Sequence, residues 1–523
     1  MGKKFCELTL EEKLGQLIIF GFDGLKINDH ARKLIKEYKA GNVLLFTRNI
    51  KDAEQLFTLN KDLQNLAKEG VGIPLFITID QEGGMITRIQ NGGTFFPGAM
   101  TISASNDPRN AYVTGNNMAE ELKSFLINFN FAPVMDVNNN PDNPVIGIRS
   151  YSDSQERVSL YGSEFIKGMQ DCGVIATAKH FPGHGDTNVD THLGLPFVDY
   201  DMKRIKEIEL FPFKAAIDAG VKAIMTAHIV YKSMDDSNLP ATLSFNVLTK
   251  LLRQELGFKG LIVADGLEMN AIKDVYGIND GAVMAINAGV DLLLSCHNEN
   301  EQISILTYLK QAVLDGKISM DVIDERVKRI LKYKENIDFP LENDSYFENV
   351  EKNKQHADNA FQIVKKAFTL VKGKPLKLDK DALFIGTLPK STSAADATDG
   401  ESNITELIKK EIKGLKTLLM SIEPTNEEIV NICEVASNHK QIIITSYNSN
   451  VYKSQLILME KLHEKHKEVH VVSLRNPYDS YYVKKINNYV SLYEYTPNSV
   501  KVLIEYLKGN IKPGGIFPLR LIK

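Results

Sequence analysis

Short apolar runs alternate with amphipathic stretches along the first two thirds of the chain. The runs are rich in β-branched residues and almost free of polar ones, as is typical of parallel strands buried on both faces. Eight of them begin before residue 335, at Gln16, Asn42, Pro74, Asn130, Val174, Val221, Gly260 and Gly289. The stretches between them, such as 52–68, 155–170 and 201–219, have the periodicity of helices with one apolar face. Eight such units predict a (β/α)8 barrel, and a doubly wound open sheet is the alternative.

A second alternation of strands and helices follows a short polar segment. Residues 336–345 contain Pro340 with several Asn and Asp residues, a composition typical of a linker. Helical stretches near 347–371 and 406–418 and further apolar runs then predict a smaller α/β sandwich domain with a parallel sheet. We expect a barrel domain over 1–335, a linker over 336–345 and a C-terminal α/β sandwich domain over 346–523.

Composition excludes several classes of protein. The net charge of −4 over 523 residues gives no general attraction to nucleic acid or to anionic membranes. The four cysteines are far apart and form no CxxC pair, which argues against a disulfide framework and favours a reducing compartment. The first apolar run is too short for a signal peptide, and no segment reaches the ~20 apolar residues that cross a bilayer. We expect a cytoplasmic protein that binds neither nucleic acid nor a membrane.

Ionisable residues follow the apolar runs, at the strand ends where barrel enzymes carry their active sites. Asp80, Glu82 and Arg88 follow the third run, Asp136 and Arg149 the fourth, Lys179 and His180 the fifth, His228 the sixth and Asp265 the seventh. Each has an ordinary structural interpretation: Asp80 could cap a helix, and His228 could be a buried histidine with satisfied hydrogen bonds. Their joint position on one face of the barrel favours a catalytic site.

The segment 179–192, KHFPGHGDTNVDTH, has the densest chemistry. A metal site is one alternative, with possible ligands His180, His184, Asp186, Asp190 and His192. Pro182 and Gly183 stand between the first two histidines and disfavour the helix that would bring both rings together. An HxH arrangement is also missing, so we expect no metal.

Four segments resemble glycoside hydrolase family 3, and within it the β-N-acetylglucosaminidases. They are KHFPGHGDTNVDTH from Lys179, DQEGGMITR from Asp80, VIGIRSYS from Val145 and IVADGLEM from Ile262. The likeness is strong from residue 8 to about 335 and looser beyond. The resemblance implies a retaining hydrolase that uses no cofactor. Its substrate would be a small carbohydrate, from which it removes terminal, non-reducing β-linked GlcNAc.

The resemblance also implies the roles of eight residues. The nucleophile falls on Asp265, and the acid/base on His192, with Asp190 as its partner. The substrate-binding positions fall on Asp80, Arg88, Arg149, Lys179 and His180. Two positions depart from the family: Met85 stands where relatives often have arginine, and Gly266 where an acidic residue or alanine is common. Neither is among the eight.

These residue types suit the reaction. Retaining glycosidases ordinarily use two carboxyl groups, one on each side of the sugar. An imidazole at His192 can instead exchange a proton near neutral pH, with Asp190 accepting its Nδ1 proton. Asp265 must stay ionised to attack the anomeric carbon, and Glu268, interpreted as structural, is the rival nucleophile. Glycines 183, 185 and 194 flank the acid/base histidine and indicate a loop that can move.

Other functions stay open at this point. A β-N-acetylglucosaminide phosphorylase could use the same residues, because a neutral imidazole does not repel phosphate. A catalytically inactive sugar-binding protein is disfavoured by the intact Asp265, Asp190 and His192. The natural substrate would be a muropeptide fragment or a chito-oligosaccharide.

Overall fold

A computed structural model describes residues 3–187, 194–389, 403–466 and 468–520 of the chain. The predicted acid/base residues Asp190 and His192 lie outside these ranges.

Eight parallel strands close into a barrel, in the order β1-β2-β3-β4-β5-β7-β9-β10 and back to β1. In chain order the first ten strands are β1 (Ile18–Gly21), β2 (Asn42–Leu45), β3 (Phe76–Ile79), β4 (Phe129–Asn130), β5 (Ile175–Phe181), β6 (Phe197–Val198), β7 (Ala223–Thr226), β8 (Val230–Tyr231), β9 (Leu261–Gly266) and β10 (Leu292–Ser295). The short strands β6 and β8 form a separate two-stranded sheet. The barrel prediction is confirmed, and the open-sheet alternative is wrong.

Burial explains why the barrel strands are readable in the sequence. All residues of the eight barrel strands are described, and every one is buried except Asp265, which is partly exposed. A strand that is covered inside and outside must be apolar at nearly every position. The one partly exposed strand residue is therefore the predicted nucleophile.

Helices alternate with these strands. They are α1 (Leu10–Gln16), α2 (Asp29–Lys36), α3 (Ala53–Gly70), α4 (Ala99–Ala104), α5 (Arg109–Ser124), α6 (Gln155–Asp171), α7 (Met202–Glu207), α8 (Leu210–Asp218), α9 (Asn270–Tyr276), α10 (Ile278–Ala288), α11 (Glu299–Leu314) and α12 (Met320–Lys334), with a π-helix over Asn246–Glu255. Polar N-caps begin several of them; the Asp52 side chain, for example, accepts from the backbone N–H of Gln55 at the start of α3. Leu56, Leu59 and Leu63 then recur at helical spacing on the buried face of α3.

The C-terminal part holds a six-stranded sheet in the order β11-β16-β15-β14-β12-β13. Its strands are β11 (Thr369–Lys372), β12 (Ala382–Thr387), β13 (Lys416–Met420), β14 (Gln441–Ser446), β15 (Glu468–Ser473) and β16 (Asn488–Ser491). Its helices are α13 (Val350–Ala367), α14 (Ile404–Glu411), α15 (Asn426–Ala436), α16 (Ser454–Lys465), α17 (Asp479–Tyr482) and α18 (Pro497–Leu507). The sheet is parallel as predicted except for β11, which is antiparallel to β16.

The two parts share apolar contacts. Met85, Met100 and Ile148, which follow barrel strands, pack in one cluster with the α18 side of the C-terminal sheet. The predicted linker, 336–345, lies between the end of α12 and the beginning of α13. The domain boundaries predicted from the sequence, 1–335, 336–345 and 346–523, stay a proposal. In the described ranges, no helix is both long enough and apolar enough to cross a membrane.

Candidate active site

A cavity of about 430 Å³ opens at the carboxyl ends of the barrel strands. This volume is in the range of ligand-binding pockets. All six predicted site residues that the structure describes line it: Asp80, Arg88, Arg149, Lys179, His180 and Asp265. The other two, Asp190 and His192, lie outside the described residues. Residues of the β2 and β10 ends, including Phe46, Arg48 and His297, complete the wall.

A buried network of charges forms one side of the cavity. The Lys179 ammonium lies 2.8 Å from Asp80 Oδ1 and 2.7 Å from Glu82 Oε1. Arg149 donates two hydrogen bonds to the Glu82 carboxylate, from Nε at 2.9 Å and from Nη2 at 2.8 Å. Burial alone would raise the pKa of Glu82, but Arg149 and Lys179 hold that pKa far below its usual range. Glu82 is therefore a carboxylate at neutral pH that fixes two cations.

The turn after β3 brings Asp80 and Glu82 into this network. Gly83 and Gly84 have φ values of +89° and +55°. A Cβ atom on Gly83 would lie 2.5 Å from the Pro97 carbonyl oxygen, so this close approach requires glycine. The Gln81 side chain accepts from the backbone N–H of Arg88 at 2.7 Å, which ties both ends of the DQEGGMITR segment together.

A buried aspartate orients the histidine pair of the β5 end. Asp136 accepts from His180 Nδ1 at 2.7 Å and from the backbone N–H of His184 at 2.7 Å. Burial opposes ionisation of Asp136, but the His180 ring outweighs it and lowers the pKa of the carboxyl. Because Nδ1 of His180 is bound to Asp136, Nε2 is the nitrogen that can meet a ligand. Burial and the nearby His180 lower the pKa of His184 to about 4, so His184 is neutral at pH 7.

Asp265 and Glu268 differ in their surroundings. Burial raises the pKa of both carboxyls, but around Asp265 the rings of His180 and His228 and the Gly266 backbone N–H outweigh this and lower its pKa. The Gly266 N–H donates to Asp265 Oδ1 at 2.8 Å. Glu268 accepts from the backbone N–H of Cys296, but burial prevails and raises its pKa. Of the two, Asp265 is therefore the carboxyl whose surroundings favour the ionised form.

Two of the candidate metal ligands of the β5 segment, both among the described residues, have other partners. His180 is bound to Asp136, and Asp186 lies 3.5 Å from the Arg204 guanidinium. Over the described residues, one group of three could hold a metal ion: the ligand atoms of Glu268, Cys296 and His297 lie within 4.8 Å of one another at the cavity. Sequence reasoning missed this group. The expectation that the protein needs no metal stays a prediction.

Sequence reasoning also missed the parts played by Glu82 and Asp136. Both stand directly after apolar runs, so the signal that found Asp80 applied equally to them. Neither was given a role, because the resemblance supplied none. Arg48 and His297 follow the second and eighth apolar runs, so the same signal applied to them, whereas Phe46 lies within the second run.

Comparison with known proteins supports one family. Residues 9–333 match the model of the glycosyl hydrolase family 3 N-terminal domain. Beta-hexosaminidase A of Pseudoalteromonas piscicida is 39% identical over 324 residues, which are 58% of this chain and 54% of that protein; the match thus spans about half of that relative. Beta-hexosaminidase of Tolumonas auensis is 36% identical over 296 residues, 56% of this chain and 86% of that protein.

Solved structures agree over a greater length. The glycoside hydrolase family 3 beta-N-acetylglucosaminidase from Paenibacillus sp. str. FPU-7 has a TM-score of 0.90 and 38% identity, covering 99% of this chain and 100% of that one. A beta-glucoside phosphorylase has a TM-score of 0.81 at 22% identity, covering 99% of this chain and 95% of that one, which is a likeness of fold. Because the family model matches more than half of its length, the chain belongs to glycoside hydrolase family 3.

Proposed function

We propose that this protein is a β-N-acetylglucosaminidase that removes terminal, non-reducing β-linked GlcNAc with retention of configuration. The observation that carries the proposal is the ionised, partly exposed Asp265 at the base of a sugar-sized cavity. The full-length likeness to the Paenibacillus beta-N-acetylglucosaminidase supports the choice of sugar.

Asp265 would act as the nucleophile. Its carboxylate attacks the anomeric carbon, the bond to the leaving oxygen breaks, and a glycosyl–enzyme ester forms. His192 would give its proton to the leaving oxygen, with Asp190 holding the ring, and would then take a proton from the water that hydrolyses the ester. The roles of His192 and Asp190 rest on the family resemblance, since both lie outside the described residues.

Five residues would bind the sugar. Asp80 has one carboxylate oxygen on Lys179 and can accept from sugar hydroxyls with the other. His180 can meet a hydroxyl through Nε2, because Asp136 occupies Nδ1. Lys179, Arg149 and Arg88 would donate to sugar oxygens. The Glu82 carboxylate keeps two of these cations in place before substrate arrives, which reduces the cost of ordering them on binding.

The substrate would be a small GlcNAc glycoside met in the cytoplasm. All four cysteines are free in the structure, and two of them, Cys296 and Cys433, are buried, which suits a reducing compartment. Muropeptide fragments and chito-oligosaccharides both end in the sugar that the proposal requires.

A panel of p-nitrophenyl glycosides, assayed with and without phosphate, tests the proposal. We expect turnover of the β-GlcNAc glycoside well above that of the β-glucoside, with free GlcNAc as the product in both buffers. Accumulation of GlcNAc 1-phosphate in the phosphate buffer would instead identify a phosphorylase. A clear preference for the glucoside would refute the proposed sugar specificity.

A further inference from the structure

The loop that carries Arg149 is held by residues from outside the barrel. It runs between β4 and α6, and the C-terminal part of the chain contacts it at several points, among them four hydrogen bonds within residues 138–152. The hydrogen bonds join Asn138 Nδ2 to the Tyr478 hydroxyl (2.5 Å), Asn450 Nδ2 to the Pro141 carbonyl (2.9 Å), the Ile148 N–H to Asn476 Oδ1 (3.1 Å) and the Ser152 hydroxyl to the Pro518 carbonyl (2.5 Å). Residues 138–152 of the loop are thus held by the C-terminal sheet and tail.

Asn476 makes the contact nearest to Arg149 along the chain. Gly147, Ile148 and Arg149 form a single 3-10 turn, so holding the Ile148 N–H fixes the backbone directly before the arginine. Asn476 is buried, and its Nδ2 donates to Asn450 Oδ1 at 3.2 Å. This second bond sets the orientation of the amide, so that Oδ1 faces the turn. Losing Asn476 would leave a buried N–H without that acceptor, which native structures avoid.

Gly147 shows how closely the two parts approach. Its φ is +47°, and a Cβ atom on it would lie 2.4 Å from Asn476 Oδ1. Its N–H donates to Asn138 Oδ1 at 3.1 Å, and Asn138 is itself bound to Tyr478. Both N–H groups that precede Arg149 are therefore held by C-terminal side chains, one directly and one through Asn138.

At its other end, Arg149 is clamped to Glu82 by two hydrogen bonds. The guanidinium is thus set by the barrel, and the backbone that carries it by Asn476. We propose that Asn476 is a positioning residue of the sugar site, which holds the turn over 147–149 so that Arg149 meets the substrate. The inference rests on the proposed role of Arg149 in sugar binding. It also gives the C-terminal domain a function in catalysis.

The comparisons indicate that the C-terminal support of the Arg149 loop is an addition to the barrel. The Tolumonas auensis relative aligns over 86% of its own length with only 56% of this chain. The barrel match to the family model ends at residue 333, before the C-terminal partners Asn450, Asn476, Tyr478 and Pro518. The support is accordingly a feature of the longer, two-part architecture.

Kinetics and hydrogen exchange on the full chain test the proposal. In Asn476→Ala we expect KM for the β-GlcNAc glycoside to rise about tenfold while kcat changes less, because a buried hydrogen bond behind a binding residue is lost. Peptides over 138–152 should exchange amide hydrogens faster, with other barrel peptides unchanged. The matched control is Tyr482→Phe. It removes an exposed hydrogen bond that the Tyr482 hydroxyl, also in the C-terminal part, donates to Asp142 Oδ1 (2.7 Å) on the same loop. It should match wild type in both measurements.

Gly147→Ala disrupts the same contact from the barrel side. It serves as the second variant if Asn476→Ala exchanges amide hydrogens faster throughout the chain. It should raise KM and speed exchange over 138–152. Combined with Asn476→Ala, its effect should be less than multiplicative, because the clashing amide is gone. The proposal is overturned if Asn476→Ala has the KM and the amide exchange rates of wild type. Where Gly147→Ala replaces it, the same result in that variant overturns the proposal. If wild type prefers another glycoside, the proposed sugar fails, and the same comparison is made with that glycoside.

Discussion

Asp265 and Glu268 are three residues apart on the same cavity, yet their surroundings shift their pKa values in opposite directions. Asp265 lies among the rings of His180 and His228 and accepts from a backbone N–H. Glu268 lies against Cys296 with little compensating charge, and its pKa is raised. A nucleophile must be ionised, so the lowered pKa of Asp265 suits that role better than the raised pKa of Glu268.

Asp265→Asn tests this distinction between the two carboxyls. We expect kcat to fall about a thousandfold or more, since the amide cannot form the ester intermediate, while the unfolding temperature changes little. Glu268→Gln is the matched control and should retain most of its activity. Trapping with a slow fluorinated substrate, followed by peptide mass spectrometry, locates the label. A label on Glu268 would reverse the assignment.

At the scale of elements, edge strands account for the main errors of the sequence prediction. Each apolar run overlaps a barrel strand, since those strands are buried on both faces, although the fourth run does so only at Asn130. Residues 369–371 and 416–418 fall at the ends of predicted helices, but they belong to β11 and β13, the two edges of the C-terminal sheet. Both edge strands mix buried or half-buried positions with exposed ones, so their sequences resemble amphipathic helices more than buried strands.

The candidate site was predictable where a residue stands near or just past the carboxyl end of its own strand. Asp80, Lys179 and Asp265 were found in this way, because parallel strands end on one face of a barrel. The clamp between Arg149 and Glu82 joins two separate loops, and Asn476 contacts a turn 328 residues earlier. Contacts of this kind depend on how loops and domains pack, which no local pattern specifies.

The connection after β5 begins with Gly183 and Gly185, which together with Gly194 predict a loop that can move. A Cβ atom on Gly185 would lie 1.7 Å from the Val137 carbonyl oxygen, so this glycine permits close packing against the β4 end. The described beginning of the connection is therefore anchored, just before Asp190 and His192.

Asp190 and His192 should act as one catalytic unit. His192→Ala should slow glycosides with poor leaving groups far more than those with activated phenols, which need little protonation. Asp190→Ala should have the same but milder effect, and the double variant should be little worse than His192→Ala alone. The measurement is kcat/KM, which reports only the step that releases the leaving group, against leaving-group pKa for all three variants. Equal slowing of every leaving group by His192→Ala would make His192 a binding residue.

For the whole molecule, the site network contributes to stability as well as to binding. Glu82 compensates two buried cations, Arg149 and Lys179, with side-chain exposures of 8%, 7% and 2% respectively. Removing one member of such a buried set typically destabilises a protein by about 3–5 kcal/mol, because the remaining charges lose their partner. The same carboxylate therefore links the architecture of the sugar site to the folding equilibrium of the chain.

The pH dependence of that stability gives a sharp test with Glu82→Gln. The pKa of Glu82 is lower in the folded protein than in the unfolded chain, where it is about 4.3. Its contribution is thus fully present above about pH 5 and is lost as pH falls below that unfolded value. The difference in unfolding free energy between wild type and Glu82→Gln should be constant from pH 6 to 8 and narrow by up to about 1.4 kcal/mol per pH unit below pH 4. Urea unfolding at a series of pH values measures this difference.

Glu69→Gln, which disrupts the exposed ion pair with Lys36, is the control and should differ little from wild type in unfolding free energy at every pH. A difference for Glu82→Gln that stays constant down to pH 3 would mean that Glu82 is not the carboxylate that holds these cations.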